Sequence, residues 1–149
     1  MRHFKIDCET PLRKCTCHNN RVKRIDSEKY GSEFLYWSGG EDGVVLQHDS
    51  REPHQCWNHN QSGDQVGDGP FEQNVLIDLR KEYGPKAEVK CLAVNPLNFN
   101  YIVVGANDPL VRLYDRRMMH RNHTPIKYYV PGKENLIFNY KITLLLYNN

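Results

Sequence analysis

The residues best suited to chemistry in this chain fall into three patterns. Asp49-Ser-Arg51 and Asp115-Arg-Arg117 each close an apolar run, and each follows a turn aspartate, Asp42 and Asp108, by the same interval. A planar guanidinium held at a strand end can form a charge-assisted, bidentate bond to a carboxylate, which lysine cannot reproduce. The alternative use of the same arginine is a local salt bridge worth ~0 to 1 kcal/mol. The second pattern is a pair of Cys/His groups: Cys8, Cys15, Cys17 and His18, then His54, Cys56 and His59. Neither has the Cys-x2-Cys spacing of structural zinc, so buried thiols and loop histidines are expected, with no metal. The third is nucleophilic. Scattered cysteines and histidines make no Cys-His pair without geometry, and no phosphate-cradling glycine loop leads from a strand into a helix. The expectation is that this is not an enzyme and that it takes no cofactor and no small-molecule substrate.

The elements that position these residues are strands. Ser38 to Arg51 reads as a hairpin: Glu41-Asp-Gly43 is a tight turn and Val44 to His48 a second strand rich in β-formers. Val104 to Arg117 repeats it, with Asp42, Asp49 and Arg51 each recurring 66 positions later, at Asp108, Asp115 and Arg117. Around the first copy, strands are expected at 21–25, 34–37 and 75–79. Around the second they are expected at 88–94, 101–105, 110–115 and 126–130. No helix is evident. Residues 52–73 hold five Gly or Pro among Asn, Gln, Asp and His, and read as an exposed polar insertion. Residues 1–16 and 131–149 are unassigned, the latter apolar enough for one further strand. Short strands at regular spacing predict an all-β meander, not a βα alternation.

The chain has 149 residues, 39% hydrophobic and 26% charged, with a net charge of only +2. That balance argues against nucleic acid, whose phosphates call for an excess of Lys and Arg on one face. The runs Arg21-Val-Lys-Arg24 and Arg116-Arg117 are expected to be solvated strand ends. Five cysteines, an odd and irregularly spaced set without a secretory signal, predict reduced thiols and an intracellular setting, cytoplasm or nucleus. The longest apolar stretch, 136–147, is interrupted by Asn139 and Lys141 and falls short of the roughly 20 residues of a membrane helix; no membrane role is expected.

The repeated unit, Ser-Gly-x-x-Asp-Gly, a strand, then Asp-x-Arg, resembles the end of a WD40 repeat, a four-stranded propeller blade. Without the insertion, the shift approaches the ~40 to 45 residues of that repeat. Cys17-His18 resembles the opening Gly-His, and the family's tryptophan position falls on His48 and Tyr114. The resemblance implies a hydrogen-bonded network using His18, Ser38 and Asp42, with Pro85 and Val104 at the matching places of the second copy. It implies blades at 17–79 and 84–130, a partial propeller cut from a longer protein and poorly stable alone. The phrases Glu-Asp-Gly-Val-Val-Leu-Gln-His-Asp-Ser-Arg-Glu and Val-Lys-Cys-Leu-Ala-Val-Asn-Pro are similar to blades of WD-repeat substrate receptors of cullin-4 ubiquitin ligases. For such receptors Arg51 and Arg117 are implied to meet the ligase's propeller adaptor, while Asp49 and Asp115 brace their own blades through backbone contacts. The implied partners are that adaptor and a substrate protein. The alternatives are a WD40 interaction module without a ligase role, or a chromatin regulator that binds histones or histone deacetylase. Trp37, Tyr101, Tyr128 and Tyr129 are expected to pack in cores or on strand faces.

Overall fold

The computed structural model describes residues 2–3, 13–14, 17–30, 32–51, 74–119 and 124–130. In chain order its strands are β1 (Arg2–His3), β2 (Arg13–Lys14), β3 (Val22–Ser27), β4 (Leu35–Gly40), β5 (Val44–Asp49) and β6 (Val75–Asp78). A one-turn helix α1 (Arg80–Tyr83) follows, then β7 (Val89–Val94), β8 (Tyr101–Ala106), β9 (Val111–Asp115) and β10 (Lys127–Tyr129). Two four-stranded antiparallel sheets, β3-β4-β5-β6 and β7-β8-β9-β10, each run as a simple meander. The described strands form no closed barrel. Fold class is therefore all-β, as two blade-like sheets.

Each sheet is built from the alternation in its sequence. In β4 and β8, uninterrupted apolar or small residues are buried on both faces, as interior strands require. The β4–β5 turn closes on Gly43, whose positive φ of 78° a side chain would resist, and Gly43 N–H donates to Gly40 at 3.1 Å. Strand β4 extends further than its residue types suggest. Ser38 and Gly39 pair with both neighbours and Gly40 pairs with Val22 of β3, so the run does not end there. The absence of helix is corrected by α1, which is stopped by Gly84 at φ 85°. The two-residue ladder of β1 with β2 lies in a region left unassigned by sequence. The insertion 52–73 and the tail 131–149 fall outside the described residues.

One core lies in the seam between the sheets. Trp37, Val45 and Ile77 of the first sheet, with Leu79 just after it, pack with Val89, Leu92, Val94, Ile102, Val104 and Tyr114 of the second. Each fully buried aliphatic side chain there contributes about 1.5–3 kcal/mol. Trp37 is wholly buried, as expected, whereas Tyr128 is 47% exposed on the outermost strand. Strands β3 and β7 run side by side across the seam, where Asp26 accepts the Val94 N–H at 2.8 Å. At Gly39 a Cβ would stand 2.5 Å from Val89 Cγ1, so only glycine lets β4 approach β7 this closely. A Cβ at Gly43 would likewise stand 2.5 Å from the carbonyl of Ala87, in the link between the sheets. The far faces carry smaller clusters: Cys17, Val44 and Leu46 on the first sheet, Val103 and Leu113 on the second.

Candidate functional site

The ends of β5 and β9 present the same device. After Asp49 the chain turns so that the Arg51 N–H donates to Asp49 Oδ1 at 2.9 Å, while Arg51 Nε and Nη2 donate to Oδ1 and Oδ2 at 2.9 and 2.5 Å. Asp115 repeats this with Arg117: N–H to Oδ1 at 3.0 Å, Nε to Oδ1 at 3.0 Å, Nη2 to Oδ2 at 2.7 Å. Both arginine side chains remain 60% exposed. The fork holds the Asp49 carboxyl down to about 2, through the Arg51 side-chain bond first and the backbone bond second. Asp115 is likewise lowered by Arg117, whose own pKa is raised in return. Thus Asp49 and Asp115 accept backbone N–H groups, and they also clasp the guanidinium itself. Arg51 additionally lies over the Phe34 ring at 5.1 Å.

A third fork was not read from the sequence. Arg80 donates from N, Nε and Nη2 to Asp78 at 3.0, 2.9 and 2.9 Å. Strand β6 runs antiparallel to β5 with Asp78 opposite Val44, so this fork sits at the other end of the sheet from Asp49. The signal was the same Asp-x-Arg spacing on a strand with no repeat partner.

Beneath the β4–β5 turn, four side chains join. His18 Nδ1 lies 2.9 Å from Asp42 Oδ1, His18 Nε2 2.8 Å from Ser38 Oγ, and Ser38 Oγ 2.7 Å from His48 Nε2. One proton assignment satisfies every bond with neutral rings: His18 Nδ1–H donates to Asp42, the Ser38 hydroxyl donates to His18 Nε2, and His48 Nε2–H donates to Ser38. Burial pushes the Asp42 carboxyl up, but the His18 bond and charge and the Asn19 and Val44 N–H groups outweigh it, and the net shift is downward. His48 stacks on Tyr36 at 4.7 Å between ring centroids. The order Asp-His-Ser is that of a hydrolase triad, yet Ser38 is completely buried and its hydroxyl is committed to two imidazoles. Such a serine cannot meet a substrate; the arrangement braces the blade.

The second sheet solves the same corner differently. Val104 replaces Ser38, Tyr114 replaces His48, and Pro85 stands where His18 would. Asp108 is instead held by Arg112 Nη1 at 3.0 Å and by Nη2, and it accepts the Leu110 N–H at 3.1 Å. Arg112 is fully buried, with its guanidinium 4.0 Å over the Tyr83 ring. Burial works against its charge, but the Asp108 bond prevails and raises its pKa. Tyr83 in turn donates to Tyr128 at 3.2 Å.

Cysteine usage departs from the reduced-thiol expectation at one point. Cys17 is disulfide-bonded, while Cys91 is an exposed free thiol. Among the described residues no group of three His, Cys, Asp or Glu could hold a metal. Cys8, Cys15, His54, Cys56 and His59 lie outside them. No described helix is long and apolar enough to cross a membrane.

No family model matches the chain. Among curated proteins it is similar to WD and tetratricopeptide repeats protein 1 of Mus musculus, 43% identical over 106 residues, which cover 71% of the chain and 13% of the relative. The Homo sapiens protein of the same name is 40% identical over 110 residues, 74% of the chain and 14% of the relative. WD repeat protein iqw1 of Schizosaccharomyces pombe is 33% identical over 115 residues, 76% of the chain and 12% of the relative. The chain thus spans 12 to 14% of the length of these relatives.

Proposed function

The chain belongs to the WD-repeat family, and from that premise we propose that it forms two successive blades, 17–79 and 84–130, of a protein-interaction scaffold that serves as part of a cullin-4 ligase substrate receptor. One observation carries the reading: Arg51 and Arg117 are held in matching forks at the ends of the third strands of two adjacent sheets, both largely exposed. Preorganised guanidinium groups at equivalent positions suit a rigid protein partner, because little side-chain entropy remains to be lost on docking. In this reading the partners are the ligase's propeller adaptor and a substrate protein. Ubiquitin transfer belongs to other subunits, and the setting is intracellular.

The runner-up is an interaction module with no ligase role. It is favoured by the bidentate engagement of both arginines with their own aspartates, which leaves a partner carboxylate to compete for an occupied edge. Co-purification with the ligase adaptor decides between them. The ligase reading expects Arg51→Ala with Arg117→Ala to abolish it; retention at the wild-type level removes these arginines from adaptor binding.

A further inference from the structure

The seam between the sheets holds an arginine in a different electrostatic state from those of the forks. Arg116 follows Asp115 directly, yet its side chain turns away from the fork and reaches across to the first sheet. There Nη1 donates to Gln47 Oε1 at 3.1 Å, and the same oxygen accepts the Trp37 Nε1–H at 3.2 Å. The guanidinium lies 4.6 Å over the Phe99 ring and 5.8 Å from that of Trp37. Gln47 is thereby pinned by two donors and Arg116 by two rings, so the cation is fixed in place.

No carboxylate among the described residues forms an ion pair with Arg116. Arg51, Arg80, Arg112 and Arg117 each have one, in Asp49, Asp78, Asp108 and Asp115. Glu28 acts on Arg116 through its charge. Burial outweighs it and pushes the Arg116 pKa down, the direction expected of a partly desolvated cation short of countercharge. Exposed forks neutralise themselves; the seam arginine does not.

We propose that Arg116 is the anion-recognising point of this surface, and that it receives an aspartate or glutamate side chain from an acidic segment of a protein partner. A carboxylate entering the seam meets a half-buried guanidinium with donors beyond the one spent on Gln47, in surroundings less polar than bulk water, where a charge-assisted bond is stronger. Phe34 and Phe99 beside the arginines offer apolar contact to the flanking residues of such a segment. A nucleic-acid strand is disfavoured, because the neighbouring guanidinium groups are already matched and the net charge is only +2. The proposal rests on the interaction-scaffold reading and is independent of the ligase role.

Fluorescence anisotropy with a labelled hexaglutamate peptide on the whole chain tests it, with hexaglutamine and a six-nucleotide deoxythymidine strand as comparison probes. Hexaglutamate should bind and hexaglutamine should not. Arg116→Gln should weaken hexaglutamate binding about tenfold, whereas the paired Arg51→Gln and Arg117→Gln change should leave it within about twofold. Gln47→Glu keeps Arg116 in place but supplies an internal carboxylate, so it should weaken binding to a similar extent. That variant serves if Arg116→Gln does not fold. No binding of hexaglutamate by the wild-type chain, undiminished binding by Gln47→Glu, tighter binding of the deoxythymidine strand, or loss only in the fork variants each overturns the proposal. None of these results bears on adaptor co-purification, so the two readings fail separately.

Discussion

The two sheets share a turn aspartate and differ in what holds it. In the first sheet Asp42 is gripped by a hydrogen-bonding relay, His18 to Ser38 to His48, whose last two members are buried. In the second, Asp108 is matched by a full cation, Arg112, sealed under Tyr83. Both keep the turn closed. A relay fails gradually, because each group left behind can be neutral, whereas an ion pair that loses its carboxylate strands a charge in a place without water. The comparison therefore concerns how a corner breaks, more than how tightly it holds.

The sharpest way to break it is to remove each aspartate in turn. Asp108→Ala leaves the buried Arg112 unmatched and should cost about 3 kcal/mol or more, read by urea denaturation followed through tryptophan fluorescence. Asp42→Ala loses the bonds to His18 and Asn19 but strands no fixed charge, and about 1–2 kcal/mol is expected in the same assay. Equal losses would erase the distinction. Next in size is Ser38→Ala, which deprives two imidazole nitrogens of their shared partner, at about 1–2 kcal/mol. The matching change Val104→Ser adds a hydroxyl where neither position 85 nor 114 carries an imidazole, so it should destabilise as well and create no relay.

Acid provides a smaller test. Asp42, Asp78, Asp108 and Asp115 are all held below the ordinary carboxylate range, and Asp49 at about 2. A depressed carboxyl contributes stability above its unfolded pKa, about 4, and loses it as the pH falls through the folded value. The melting temperature should therefore be insensitive to these groups from pH 7 to about pH 5 and decline below about pH 4. The smallest expected effect is that of Asp49→Asn, whose partner Arg51 is largely exposed. Its melting curve should differ slightly from wild type at pH 7 and converge on it near pH 2, measured by circular dichroism.

Much of this was readable in the sequence where chemistry is local. The hairpin at 38–51 announces itself through Gly43 and the alternating residues after it, and the 66-residue shift of three charged positions exposes its copy. His18, Ser38 and Asp42 were placed together only through the resemblance, since residues 18, 38 and 42 have no common periodicity. Helix α1 escaped because four residues cannot show a 3.6-residue repeat. Arg112 escaped because a charge inside a strand reads as solvent-facing; its clue was Asp108 four positions earlier, on the side it must turn to. The role of Gln47 and Arg116 depends on how two sheets meet, which no single strand's pattern encodes.

The missing side chain of Gly39 has a consequence for geometry at larger scale. With no Cβ there, β4 and β7 mesh, and the pitch from one sheet to the next is set by the contact of Val89 with bare backbone. Gly43 against the Ala87 carbonyl fixes a second point on the same hinge line. Two points define an axis, so the angle between the sheets is indexed sterically by two absent methyl groups. A methyl at either would act as a shim, turning one sheet against the other and displacing Arg116 from Gln47 without touching either residue.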